Sequence, residues 1–222
     1  AADQNHFKAQ INLGTMYENG QGVKKDYQEA EKWYLKSTST GKSGFGGGFY
    51  NVALFYEYGR GRPADAKKAA ELYRKAAERR HIWAAHNLGV LYHNGKGVKR
   101  NIGEAIKWYE MAGDYGYPDA FYNLHEIYFS GNGVARDLVK SVGYLNLACS
   151  LGKSLGRRYK SSLGTSMNPD RVGQQSIQRM IRAGIRPQDL DRSVSTVQSR
   201  LKRIEKNLKS HPELRKQLGF ID

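Results

Sequence analysis

The chain has one cysteine, Cys149, in 222 residues. That excludes an intramolecular disulfide, so packing and hydrogen bonding must hold the fold. No apolar run approaches the ~20 residues of a membrane span, which excludes a bilayer-crossing helix. The opening Ala1-Ala-Asp-Gln-Asn-His6 lacks a basic stretch followed by an apolar one, so no secretory leader is expected in this stretch. A leader already removed stays open, and with it both periplasm and cytoplasm. Acidic residues are scarce, 21 against 36 Lys and Arg, for a net charge of +15. The surplus is uneven. Residues 1–152 carry 20 basic and 15 acidic side chains, and residues 153–222 carry 16 and 6.

Aromatic residues and glycine are plentiful: 15 Tyr, 7 Phe, 3 Trp and 25 Gly. They recur in order. Leu13-Gly-Thr-Met-Tyr-Glu-Asn-Gly-Gln-Gly-Val23 has counterparts starting at Val52, Leu88 and Leu124, at spacings of 39, 36 and 36 residues. A period of that size marks stacked supersecondary units, none able to bury its apolar face alone. Each unit reads as two helices. In the first, helix A covers about 8–18, with Ala9, Leu13, Met16 and Tyr17 as its buried stripe. The pairs Gly20/Gly22, Gly59/Gly61, Gly95/Gly97 and Gly131/Gly133 end the A helices. Helix B of the first unit covers about 26–38. Asp26, Asp65, Asn101 and Asp137 are the expected caps. Its buried stripe is Ala30, Trp33, Tyr34 and Ser37, repeated as Ala69/Leu72/Tyr73/Ala76, Ala105/Trp108/Tyr109/Ala112 and Ser141/Tyr144/Leu145/Ala148.

Residues 9–34 and 84–109, with their shared Ala, Leu-Gly, Tyr, Gly-x-Gly-Val and Ala-x-x-Trp-Tyr, resemble the Sel-one-like repeat family, a branch of the tetratricopeptide-like superhelical proteins. The second unit departs from the pattern at Arg62 and Leu72, the fourth at His125 and Tyr144. The resemblance covers about 8–152. It implies an all-α fold, an α/α superhelical solenoid of helical-hairpin repeats, acting as an adaptor. Family members include quality-control scaffolds, bacterial signalling and envelope regulators, and toxin-neutralising immunity proteins.

The expected organisation is a solenoid over 1–152, with units of about 8–42, 43–80, 81–117 and 118–152, and a basic helical capping region over 153–222. Residues 1–9 resemble the end of a helix B and its link, as at Ala76–Ala84, so the chain is expected to start inside a longer solenoid or to lack a helix. The glycine-dense link 41–48 is expected to be a flexible or bulged joint. Beyond 152 the expected helices are 154–163, a second from Asn168-Pro169 to Ala183, and a third from Pro187. The third carries a heptad stripe Val194, Val197, Leu201, Ile204 and Leu208 and ends at His211-Pro212, with a last turn at 212–218.

Chemistry-bearing patterns are weak. Gly41-Lys42-Ser43 lacks the earlier glycine of a phosphate loop, since that position is Lys36. The histidines are His6, His81, His86, His93, His125 and His211. His86 and His93 lie two helical turns apart, about 10 Å, too far to share one zinc ion. His125 occupies the family's glycine position and should face the packing. No cofactor, metal site or catalytic residue is expected, and an enzyme is disfavoured.

The binding face is expected on the A helices opposite their buried stripe, the side that lines the concave groove in tetratricopeptide-like solenoids. The partner-binding residues expected there are Tyr50, Asn51, Tyr58, Trp83, His86, Asn87, His93, Tyr122, Asn123 and Phe129. Rings left wet are costly unless a partner covers them. Asn12, Asn51, Asn87 and Asn123 recur at one position. They either pair with the backbone of an extended partner or tie neighbouring repeats together. The sequence therefore reads as a non-catalytic protein-binding scaffold. One alternative is an immunity protein neutralising a toxic enzyme. The other is a basic tail bound to an anionic membrane surface, with nucleic acid disfavoured because the tail shows no binding motif.

Overall fold

The computed structural model describes residues 2–38, 46–154, 178, 181–184 and 186–218. Ten helices and no strand appear among them. They gather into two compact units, residues 1–101 and 102–222.

The first unit contains α1 (Ala2–Asn19), α2 (Tyr27–Lys36), α3 (Gly47–Tyr58), α4 (Ala66–Glu78) and α5 (Ile82–Asn94). The caps form as the sequence requires. Asp26 accepts backbone N–H bonds from Gln28 and Glu29 at 2.8 and 3.0 Å, and Asp65 accepts one from Lys68 at 2.9 Å. Gly59 and Gly95 close α3 and α5 in the left-handed region. The helix-B stripes are core except at Trp33, which is half-buried: Ala30, Tyr34, Ser37, Ala69, Leu72, Tyr73 and Ala76 are all buried. Rings interlock between successive hairpins. Phe55 of α3 meets Tyr27 and Tyr34 of α2 edge-on, at 5.5 and 5.8 Å.

Two expectations fail here. Residues 2–19 form one continuous helix, not a helix end, a link and a shorter helix. The link it was compared with turns at Arg80, at φ 60°, and α1 contains no such break. The expected α1 stripe is only partly covered: Ala9 and Met16 are exposed, Leu13 and Tyr17 half-buried. The equivalent Ala84, Leu88 and Leu91 of α5 are buried, because α4 packs on that helix. The described end of the glycine-rich link packs closely. A Cβ on Gly48 would lie 2.3 Å from the Ser37 hydroxyl and the Tyr34 carbonyl, so α3 sits directly on the end of α2. The Gly41-Lys42-Ser43 stretch lies outside the described residues.

The second unit contains α6 (Ile102–Asp114), α7 (Pro118–Ser130), α8 (Leu138–Ser154), α9 (Pro187–Ser210) and α10 (Pro212–Gln217). Asp137 caps α8, accepting from the Lys140 N–H at 2.9 Å. Ala105, Trp108, Tyr109 and Ala112 of α6 and Ser141, Tyr144, Leu145 and Ala148 of α8 are buried. The helix α9 packs on α8 and α6 as a cap. Val197 and Ile204 of its heptad stripe are buried, Leu201 and Leu208 half-buried. The Val194 side chain, the 154–163 helix and most of the 168–183 helix lie outside the described residues.

Candidate functional site

The repeats are joined by a polar link that the sequence reading did not find. Tyr34 of α2 donates its hydroxyl hydrogen to Glu18 of α1 at 2.6 Å, and Tyr73 of α4 donates to Glu57 of α3 at 2.6 Å. Each glutamate also meets the basic residue inside the next Gly-x-Gly turn. Arg60 pairs with Glu18, and Lys96 approaches Glu57 at 3.7 Å. One carboxylate thus joins both helices of its own hairpin to the following hairpin. Burial and the carboxylate together push the Tyr34 and Tyr73 hydroxyls well above the ordinary phenol range, so they stay donors. A signal was present. Glutamate ends the first two A helices, and Arg60 and Lys96 fill turns where Gln21 and Asn132 stand elsewhere.

The A-helix residues expected to face a partner divide accordingly. In the first unit Tyr58 and Trp83 are open, 61% and 37% exposed. Trp83 leans on Tyr50 at 6.1 Å and on the His81 ring at 5.8 Å, and Tyr50 stacks on His81 at 4.3 Å. The result is a ring cluster that is half-buried at Tyr50 and open at Trp83. Asn51, Asn87 and His93 are half-buried. His86 corrects the sequence reading: it is 6% exposed, with Nδ1 3.3 Å from the Asn87 side-chain Oδ1, and offers no outward surface. The Asn87 amide acts on the Tyr73 hydroxyl of the preceding helix, opposing part of the upward shift that burial imposes.

In the second unit Tyr122, Asn123 and Phe129 are half-buried. Tyr122 and Phe129 pack against the Val142/Leu145 core and flank the His125 ring at 5.7 and 5.8 Å. His125 does face the packing, 1% exposed, with Nδ1 2.7 Å from the Ser141 hydroxyl. The fourth repeat pairs His125 with Ser141. A buried imidazole and a buried hydroxyl satisfy one another there.

His81 caps α5, its Nδ1 accepting the Ala84 N–H at 3.3 Å. Burial pushes its pKa down to about 3. The folded imidazole therefore stays neutral at pH values where an unfolded one, near 6.5, takes a proton. Stability is full above about pH 6.5 and drains as pH falls toward 3, at up to about 1.4 kcal/mol per pH unit. Urea titrations at pH 7 and pH 5 should show this loss. His81→Asn, a non-titrating cap, should remove about half of it or more.

No group of metal-ligating side chains converges among the described residues. One pocket of about 270 Å³ lies between α8 and α9, walled by Val139, Leu147, Val197 and Tyr144. Its two cations are engaged: Lys140 approaches Asp137 at 3.6 Å, and Arg200 is held by Asp114 at 2.7 Å. No acid–base pair opens into it.

The chain is similar to two solved structures in particular. A Sel1 repeat protein from Oxalobacter formigenes is 30% identical, with a TM-score of 0.67 over 98% of this chain and 82% of that one. A protective antigen of uropathogenic Escherichia coli strains with an SLR fold is 31% identical, with a TM-score of 0.61 over 79% of this chain. The present chain spans only 39% of that antigen's length. The immunity protein Pa5087 of Pseudomonas aeruginosa is 22% identical, with a TM-score of 0.45 over 82% of this chain and 70% of that one. No curated protein sequence matches the chain. The Sel1 repeat model matches residues 7–41, 50–81, 84–117 and 118–153, each stretch containing one of the paired-glycine turns described above, and the chain belongs to the Sel1 repeat family of helical, protein-binding repeat proteins.

Proposed function

We propose that this chain is a non-catalytic protein-binding module that takes its partner on the outward side of the A helices. The observation that carries the reading is Trp83. A large ring, 37% exposed, is fixed by Tyr50 and His81 rather than left mobile. A pre-set aromatic anchor loses little side-chain entropy on association, and such rings dominate interface energies. Tyr58, 61% exposed at the end of α3, is the second anchor. Asn51 and His93 supply polar contacts at the rim, and Tyr122, Asn123 and Phe129 form the corresponding, more sheltered face of the second unit. Sel1 repeat proteins generally act as interaction scaffolds without catalysis, which agrees with a face built of rings and amides.

The test is an affinity capture with the full chain, partners being identified by mass spectrometry and titrated against purified protein. Trp83→Ala with Tyr58→Ala should weaken the captured partner at least about tenfold at unchanged melting temperature. Lys67→Ala with Glu71→Ala on α4 should not. Equal affinity for all three proteins would remove this face from the interaction. A captured toxic enzyme would narrow the role to immunity.

A further inference from the structure

The basic surplus of the tail takes a defined form on α9. Val197 and Ile204 point into the unit, and Arg200, held by Asp114 at 2.7 Å, fixes the rotation of the helix about its axis. Lys202, Lys206 and Lys209 are left on the opposite side, all exposed. Spacings of four and three residues keep them on one face, with about 6 and 4.5 Å of helix rise between them. Their ammonium groups form no ion pair or hydrogen bond among the described residues. Arg203 borders the same face, 56% exposed although it shares Asp114, and Glu205 flanks it.

From this we infer a second interaction surface, independent of the A-helix reading: the outer face of α9 docks the protein electrostatically on a bilayer carrying anionic head groups. Three observations choose this occupant. The face is the convex outside of one helix, matched to a flat charged sheet rather than to a strand held in a groove. Neither α9 nor α10 contains Phe, Tyr or Trp, so single-stranded nucleic acid has no stacking platform there. No apolar side chain stands among the lysines, so a protein partner would find charge without a desolvated anchor. A lipid surface needs neither. Because the apolar side of α9 is committed inward, association stays at the head-group level, and no helix among the described residues is long and apolar enough to cross a membrane.

The test uses the full chain, sedimented with phosphatidylcholine vesicles or with vesicles containing 30 mol% phosphatidylserine. Binding is expected to the second only, and to vanish as salt rises from about 50 to 300 mM. Lysines near an anionic bilayer contribute roughly fivefold each, so Lys202→Gln, Lys206→Gln and Lys209→Gln together should weaken binding about a hundredfold. Removing the same charge from the first unit, at Lys24, Lys67 and Lys99, should weaken it less than fivefold. Melting curves of both variants should match the parent. No sedimentation with phosphatidylserine at low salt, or equal loss in the two triple variants, overturns the proposal. So does duplex DNA binding that falls with the α9 variant while vesicle binding does not.

Discussion

Gly97→Ala should destabilise this protein by about 3 kcal/mol or more, although residue 97 lies in an exposed turn. Two costs combine. At φ 72° the residue sits in the left-handed region, where a side chain costs roughly 1–2 kcal/mol. The added Cβ would also lie 2.2 Å from the Ala66 carbonyl carbon and 2.3 Å from its oxygen, backbone atoms that cannot swing aside. The molecule contains its own controls. Gly22, at φ 73°, is equally left-handed, but its Cβ would meet only the Met16 methyl at 3.7 Å. Gly22→Ala should cost about 1 kcal/mol. Gly61, whose Cβ would come 2.6 Å from the Tyr27 Cβ, should fall between them. Urea unfolding of the three variants should therefore rank Gly22, Gly61, Gly97 in rising cost. Equal losses would show that only backbone conformation matters at the second glycine, and that the close seating of each turn on the preceding helix B contributes nothing.

That ranking separates what the sequence makes legible from what it does not. The paired glycines, the capping acids and the aromatic stripe of helix B repeat in place, and each has a local physical meaning, so the hairpins can be read directly. Which glycine touches backbone depends on the seating of the next turn, and no single repeat contains that information. The same holds for Glu18 and Glu57. On a helical wheel they look outward, and only the neighbouring turn, bringing Arg60 or Lys96, turns them into joints. His86 was misread for a related reason: the outward side of one helix, in isolation, can be buried by its surroundings. Trp83 and Tyr58 are exposed as the helical wheel suggests, Trp83 with Tyr50 and His81 at its side.

The cap helix α9 is keyed by one half-buried cation. Arg200 places Nε 2.7 Å from Asp114 and Nη1 3.6 Å from Glu110, and lies over the Phe121 and Tyr144 rings at 5.1 and 5.6 Å. Glu110 in turn accepts the Tyr144 hydroxyl at 2.5 Å, and Arg203 shares Asp114 at 2.7 Å. Three helices therefore meet at two carboxylates. With 18% of the Arg200 side chain exposed and 25% of Asp114, removing one partner of this pair costs more than breaking a surface ion pair. Arg200→Met keeps much of the stem volume but leaves Asp114 to Arg203 and Glu110 to the Tyr144 hydroxyl, and should cost about 2 kcal/mol. Arg200→Lys should recover only part of that, because an ammonium cannot serve Asp114 and Glu110 while lying flat over two rings. If the loss belongs to the pairing, combining Arg200→Met with Asp114→Ala should cost less than the two changes added, by 1 kcal/mol or more. Protease cleavage within α9 should accelerate in the same order, since α9 then leaves α8 more readily than the unit unfolds. A loss under about 0.5 kcal/mol for Arg200→Met would mean that Val197 and Ile204 alone hold the cap, and that the charge contributes orientation without stability.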